Sequence, residues 1–179
     1  MIIGHGDISS ILNDRLGVIF FASGVSDSSC MDEKQFERER DLFMELFLKY
    51  GHLNQSLFYF SSLSVYFKNT AYTRHKLKME QLVKNSFPNY TIIRIGNITW
   101  GKNPKTFINY FRHKIENDLP YTVLDEYRYL ISQKELLSIT DNFPDKGRHE
   151  ISVTGRIVKV QDVVNELINE QSRVHTNHK

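Results

Sequence analysis

The chain has 179 residues, of which 40% are hydrophobic and 12% aromatic, and this is enough to bury one core. Its 23 Lys and Arg against 21 Asp and Glu give a formal net charge of +2, and no basic block is long enough to predict a nucleic-acid surface. The single cysteine excludes an intramolecular disulfide, and no apolar run approaches the length of about 20 residues that a membrane span needs. Because residues 1–7 also lack the features of a signal peptide, we expect a cytoplasmic protein without membrane or nucleic-acid partners.

The first half of the chain predicts strands that alternate with helices. Residues 17–22 form a continuous apolar run of strand length, as in a parallel strand covered on both faces. Asp32 and Gln35 are a helix start signal, and Gly51 is an end signal. The predicted elements are a strand at 2–3, a helix that includes 8–12, a strand at 17–22, a helix at 32–50, a strand at 57–62, a helix at 72–85, a strand at 90–95 and a helix at 105–117.

Beyond residue 120 the pattern weakens, and it predicts strands at 127–131 and 150–153 and helices at 133–139 and 162–171. The alternation of strands and helices favours an α/β fold with a mostly parallel sheet. We expect a single domain over residues 1–171, followed by a flexible polar tail at 172–179.

Residues 61–76 contain the candidate chemistry. Tyr72 and Lys76 are four apart on a predicted helix and share one face, while Ser62 and Ser64 lie where the preceding strand ends. A tyrosine that acts as an acid or base near neutral pH needs a pKa lowered from about 10, and one ammonium about 4 Å away supplies about the 4 kcal/mol required. The pattern predicts Tyr72 as the acid/base, with a serine holding a substrate hydroxyl or carbonyl. The alternative is an ordinary helix face, because this Tyr/Lys spacing also occurs by chance.

Taken in order, these motifs resemble the extended short-chain dehydrogenases/reductases, which include NAD-dependent nucleotide-sugar epimerases and dehydratases. The matching segments are residues 4–9, 22–24, 60–66, 72–76, 94–101, 127–129 and 151–168. The resemblance implies a Rossmann-like three-layer fold, NAD or NADP as cofactor and a nucleotide sugar as substrate. It also implies a small substrate-capping part drawn from about 97–150 and a homodimer built on the helices at 32–50 and 72–85.

The resemblance further implies roles for individual residues. The implied catalytic residues are Ser62, Tyr72 and Lys76, with Lys76 also on the nicotinamide ribose. The implied cofactor contacts are Gly4, Gly6, Ile8, Ser23, Gly24 and Lys76. The implied substrate contacts are Ser64, Asn97 and Arg128, with Arg128 on the diphosphate. Turn chemistry is the alternative for Asn97, and a solvated surface position is the alternative for Arg128. The histidines at 52, 113, 149, 175 and 178 lack a metal-ligand spacing, so we expect no metal site.

The chain departs from the family just before the strand at residue 17. Only about a dozen residues separate the glycine turn from that strand, whereas family members place two further strands and their helices there, and these form the adenosine half of the dinucleotide site. Ser9 replaces the third glycine of the turn, and Asp7 places a carboxylate where a pyrophosphate should bind. Asp27 has the sequence distance of a ribose-binding carboxylate but lies in the wrong loop. Dinucleotide binding is therefore in doubt, and an ordinary strand-to-helix connection is the alternative for the turn.

Two functions follow from this sequence. The first is an NAD(P)-dependent epimerase, dehydratase or reductase that acts on a nucleotide sugar, in surface-polysaccharide synthesis by resemblance. The second is a non-catalytic protein of the same fold that binds a sugar nucleotide or a partner enzyme. The set of Ser62, Tyr72 and Lys76 favours the first, and the shortened cofactor half favours the second.

Overall fold

The computed structural model describes the backbone of residues 1–176 and the side chains of residues 1–173. The strands are β1 (Ile2–Ile3), β2 (Val18–Phe21), β3 (Ser56–Ser62), β4 (Asn89–Ile95), β5 (Asn97–Ile98), β6 (Tyr127–Ile131), β7 (Arg148–Val153) and β8 (Arg156–Lys159). The helices are α1 (Glu33–Tyr50), α2 (Ala71–Ser86), α3 (Phe107–Glu116), α4 (Gln133–Asn142) and α5 (Val160–Thr176). Short 3₁₀ turns lie at Ser9–Ile11 and Leu63–Tyr66.

The main sheet is parallel throughout, with the strand order β1-β2-β3-β4-β7. One face is covered by α1 and α2, whose Phe43 and Met79 pack against Tyr59 and Ile92. The other face is covered by α4 and by the segment around Leu12. Helices and turns on both faces of a parallel sheet confirm the predicted Rossmann-like α/β fold.

The connection from β1 to β2 differs from the prediction. The helix expected from the spacing of Ile8, Ile11 and Leu12 is a single 3₁₀ turn, because β2 begins at residue 18 and leaves no length for a helix. The strand β2 therefore pairs directly with β1. Gly4 has a φ of +130°, and a side chain there would collide with the Ala22 carbonyl, so this glycine allows the close approach of the two strand ends.

The helices that carry the candidate residues begin at strong local signals. The Asp32 side chain accepts a hydrogen bond from the Lys34 amide at the start of α1. Thr70 and Thr73 form a reciprocal capping box at the start of α2. These caps fix the first turn of α2, where Tyr72 lies, directly after the loop that follows β3.

A second cluster of buried side chains joins α3, β6 and α5, and includes Phe111, Leu130 and Val164. Its small sheet has the order β5-β6-β8, with β6 and β8 antiparallel. The helix α5 continues to Thr176, past the end predicted at residue 171, and the last residues of the tail predicted for 172–179 lie outside the described residues. Within residues 1–176, no helix combines the length and hydropathy that crossing a bilayer requires.

Candidate functional site

The structure brings Ser62 and Tyr72 together. Ser62 is the last residue of β3, and its hydroxyl accepts a hydrogen bond from the Ser64 amide at 3.2 Å. Tyr72 lies in the first turn of α2 and is only 6% exposed, and the Ser62 side chain lies close enough to lower the pKa of its phenol. The two side chains that the sequence assigns to proton transfer and to substrate orientation therefore form a pair.

The expectation of a lowered phenol pKa for Tyr72 is wrong for this structure. Burial raises the pKa, and although the Lys76 charge and the Ser62 side chain lower it, the net direction is upward from 10.0. The charge of Glu39 also raises it. The lysine charge that was expected to act on the phenol is compensated by a carboxylate.

The Lys76 ammonium contacts the Glu39 carboxylate. Its Nζ lies 5.9 Å from the centroid of the Tyr72 ring, as the shared helix face predicts. However, Nζ donates hydrogen bonds to Glu39 Oε1 at 3.1 Å and to the Tyr59 hydroxyl at 3.2 Å. The residue is only 2% exposed, so the lysine forms a buried ion pair.

Glu39 is the centre of this buried cluster. It is fully buried, and it accepts further hydrogen bonds from the Tyr59 hydroxyl at 2.8 Å, the Val25 amide at 2.7 Å and His75 Nε2 at 2.9 Å. Burial raises the pKa of the Glu39 carboxyl, but the charge of Lys76 and the hydrogen bonds from His75 and Val25 outweigh it and hold the pKa well below its usual range. Burial and the Glu39 charge raise the pKa of Tyr59 well above 10, so Tyr59 remains a donor.

The sequence analysis missed Glu39. The available signal was its position on the buried stripe of α1, between Phe36 and Phe43, where a carboxylate requires a partner inside the protein. Its partner, Lys76, comes from another helix, and only tertiary packing brings the two together.

Of the two residues predicted to contact a cofactor after β2, Gly24 lies against this ion pair. A side chain at Gly24 would collide with Lys76 Nζ and with the Glu39 carboxylate, so the backbone of Gly24 closes one side of the pair. The carbonyl of Ser23 accepts a hydrogen bond from Arg38 at 3.3 Å.

In the glycine turn after β1, Asp7 is bound by the loop at 100–105, whereas His5 and Gly6 are exposed. The Asp7 carboxylate accepts hydrogen bonds from the amides of Lys102 and Asn103 at 3.0 and 3.1 Å, and the Asp7 carbonyl accepts one from Trp100 Nε1 at 3.0 Å. Within the turn, the Gly6 carbonyl accepts a hydrogen bond from the Ser9 hydroxyl at 2.8 Å. The side chain of Ile8, another predicted cofactor contact, packs on the core.

The described residues do not fit a dinucleotide bound in the way the resemblance implies. A pyrophosphate needs free amides at a helix N-terminus, whereas this turn leads into a three-residue 3₁₀ turn and carries a carboxylate. A nicotinamide ribose needs an accessible Lys76, whereas this lysine is buried and paired. The connection from β1 to β2 also lacks the elements of an adenosine half.

A second buried ionic network lies beside the Ser62 strand. Arg94 on β4 pairs with Glu80 on α2 and with Glu150 on β7, and the Ser61 hydroxyl donates to Glu80 at 2.7 Å. The hydrogen bond with Glu80 raises the pKa of Arg94 above its usual value, so this guanidinium remains charged. Arg94 Nη1 also donates to the Tyr66 hydroxyl at 2.7 Å, which ties the turn after Ser62 to the sheet.

The predicted substrate residues have different surroundings. Asn97 lies in β5, and its side-chain amide donates to the Tyr129 carbonyl of the paired strand β6 at 3.2 Å. The amide of Ser64 bonds to Ser62, within the 3₁₀ turn. Arg128, by contrast, faces a cavity of about 460 Å³. The cavity is lined by Phe107, Tyr110, Phe111, Pro120, Tyr121, Thr122, Leu124, Glu126, Arg128 and Val160, and by none of Ser62, Tyr72 and Lys76.

Arg128 is only partly satisfied in this cavity. It forms an ion pair with Glu126, and its guanidinium carbon lies 5.6 Å from the centroid of the Phe107 ring. Its Nε is buried and has no hydrogen-bond partner among the described residues. A buried donor without a partner costs about 1–3 kcal/mol. No group of His, Cys, Asp or Glu side chains within the part of the chain that the structure describes could hold a metal ion.

The sequence matches no protein-family model and no curated protein. Among solved structures, the Bordetella bronchiseptica enzyme WbmG in complex with NAD matches 86% of this chain and 56% of its own, with a TM-score of 0.66 and 14% identity. The Thermus thermophilus UDP-glucose 4-epimerase in complex with NAD matches 86% of this chain and 61% of its own, with a TM-score of 0.66 and 14% identity. The dTDP-4-dehydrorhamnose reductase of Clostridium acetobutylicum matches 87% of this chain and 62% of its own, with a TM-score of 0.67 and 18% identity.

This chain has the fold of those enzymes. The resemblance read from the sequence is thus confirmed for the fold, on a chain that spans less than two thirds of the length of these neighbours. The match does not extend to an activity, because the identities are low.

Proposed function

We propose that this protein binds a nucleotide sugar in the cavity beside Arg128, which is the second of the two functions predicted from the sequence. The observation that carries the proposal is the place of Arg128 in the lining of a cavity with aromatic walls. A guanidinium suits a diphosphate, and aromatic side chains suit a base or a sugar ring. The volume of about 460 Å³ lies in the range of small-molecule sites.

The structure neighbours support the class of ligand. WbmG is described in complex with NAD and UDP, and other neighbours are described as UDP-glucose and dTDP-sugar enzymes. In this chain the aromatic cavity and Arg128 lie in the part built by α3, β6 and α5, which is separate from the buried Lys76 cluster. Ligand binding there requires no change at Lys76.

Calorimetric titration with UDP, UDP-glucose, dTDP-glucose, GDP-mannose and inorganic pyrophosphate tests this proposal. We expect saturable binding of at least one nucleotide sugar, and weakening by at least about tenfold, or about 1.4 kcal/mol, in Arg128→Gln. Arg156→Gln is the matched control, because Arg156 is on the paired strand β8, is exposed and does not line the cavity. Binding that is unaffected by Arg128→Gln, or no binding by a folded sample, would refute the proposal.

One observation favours the first function as a second candidate. The closeness of Ser62 to Tyr72 is the arrangement that an epimerase, dehydratase or reductase would use, with Tyr72 as acid/base and with Ser62, Ser64 and Asn97 as proposed contacts to the sugar. Such an enzyme would act in the cytoplasm, in surface-polysaccharide synthesis. It predicts turnover of a nucleotide sugar that falls by at least about a hundredfold in Tyr72→Phe without loss of folding. Turnover that is unchanged in Tyr72→Phe would exclude this role for the phenol.

A homodimer through the helices at 32–50 and 72–85 is proposed as the quaternary structure. Leu48 of α1 is 74% exposed and Leu77 of α2 is 46% exposed, so both helices present apolar side chains to solvent. Light scattering on the wild type and on Leu48→Glu/Leu77→Glu would test it. A wild-type mass equal to one chain at high concentration would contradict the dimer.

A further inference from the structure

The lysine that the resemblance assigns to a nicotinamide ribose already has two buried partners. Glu39 compensates its charge at 3.1 Å, and the Tyr59 hydroxyl accepts a second hydrogen bond at 3.2 Å. The backbone of Gly24 packs against the same pair, so the lysine is covered from the β2 side as well. Two of the three N–H donors of Lys76 are used and the residue is only 2% exposed, so a ribose hydroxyl could reach the third donor only if this cover moved.

Part of the turn that the resemblance assigns to a pyrophosphate is also occupied, because Asp7 is bound by another loop, whereas His5 and Gly6 are exposed. The loop at 100–105 donates two backbone amides to Asp7 and the Trp100 indole to the Asp7 carbonyl. The same loop reaches the segment after β2, where Asn103 donates to Ser26 at 2.9 Å and Lys105 pairs with Asp27 at 2.9 Å. It therefore spans the carboxyl ends of β1 and β2, which is the edge where ligands of parallel sheets bind.

We infer that Glu39 and the loop at 100–105 are permanent internal partners of Lys76 and of the glycine turn, so that the protein does not bind NAD or NADP. The ion pair and the capped turn replace the contacts that a dinucleotide would make. This inference stands apart from ligand binding beside Arg128, since the two sets of residues do not overlap.

Calorimetric titration of the wild type with NAD, NADH, NADP and NADPH into the millimolar range is the first test. We expect no saturable binding, that is, a Kd weaker than about 1 mM, from a folded sample. The Thermus thermophilus UDP-glucose 4-epimerase, whose structure is described with NAD, is the positive control. Saturable binding by the wild type that is lost in Lys76→Ala would overturn the inference.

Acetylation of lysines, followed by peptide mass spectrometry, tests the internal partner directly. Lys78 is the matched control, because it is exposed on the same helix. We expect Lys76 to react at least about tenfold more slowly than Lys78 in the absence of any dinucleotide, because a buried, paired amine is inaccessible to the reagent. In Glu39→Ala, if folded, Lys76 should react faster.

Three outcomes of the acetylation experiment are decisive even if Glu39→Ala does not fold. Slow acetylation of Lys76 in the wild type supports the inference. Equal rates for Lys76 and Lys78 in the wild type would mean that Lys76 faces an open groove, and would contradict it. Protection of Lys76 that develops only when NADH is added would contradict it as well.

Discussion

Replacing Lys76 by methionine removes the positive charge from the buried cluster while retaining most of the side-chain volume. The Glu39 carboxylate is then left fully buried with hydrogen bonds from Val25, Tyr59 and His75 but without the lysine. Loss of a hydrogen bond to a charged group costs about 1.5–3 kcal/mol. We therefore expect a marked loss of unfolding free energy at pH 7.

Glu39 can instead take up a proton in the variant. From its ordinary pKa of 4.5, protonation at pH 7 costs about 3.4 kcal/mol, at about 1.36 kcal/mol for each pH unit, and the stabilisation by the ion pair is lost as well. By either route, the expected loss for Lys76→Met is at least about 1.5 kcal/mol at pH 7. At pH 5 the cost of proton uptake falls to about 0.7 kcal/mol, so the difference between wild type and variant should shrink as the pH is lowered.

Urea unfolding followed by circular dichroism measures these differences, with a double-mutant cycle that adds Glu39→Gln. The double variant should be more stable than Lys76→Met alone, because no buried charge remains. Lys78→Met is the control and should change the unfolding free energy by less than about 0.5 kcal/mol. A Lys76→Met variant within about 1 kcal/mol of wild type at pH 7, or a difference that does not shrink by pH 5, would refute the buried-pair reasoning.

Two further predictions concern ionisation. The folded-state pKa of Glu39 is depressed, so its contribution to stability is present above pH 4.5 and is lost as the pH falls below that value. The midpoint of urea unfolding should therefore drop in acid. A midpoint that stays constant down to pH 3 would contradict this prediction. Burial raises the pKa of Tyr72. The difference in ultraviolet absorbance between wild type and Tyr72→Phe should therefore show no phenolate until the pH exceeds 10.0. A phenolate signal near neutral pH would contradict this and would support the acid/base role of Tyr72.

Much of the fold could be predicted from the sequence because its signals are local. The apolar runs of β2, β3 and β4 and the caps at Asp32 and Gly51 lie within single segments, and the structure places strands and a helix there. The segment after Gly6 was different, since its helical spacing was correct but the chain is too short to complete a helix before β2.

The candidate site could be predicted only in part. Ser62 and Tyr72 meet because a strand end and the next helix start are close in sequence. Lys76 forms its ion pair with Glu39, which comes from a different helix, so no local pattern predicts this pair. The cover on Asp7 comes from a loop more than ninety residues further along the chain.

We propose that the cavity beside Arg128 binds a ligand, and that Glu39 and the loop at 100–105 prevent a dinucleotide from binding at Lys76 and at the glycine turn. Amide chemical-shift mapping of the isotope-labelled 21.0 kDa protein tests both halves in one measurement. UDP-glucose should shift amides around Phe107, Tyr121 and Arg128, and NADH should leave the amides of residues 4–7 and 22–24 unchanged. Saturable NADH shifts at residues 4–7 and 22–24, with none beside Arg128 on addition of UDP-glucose, would contradict the account.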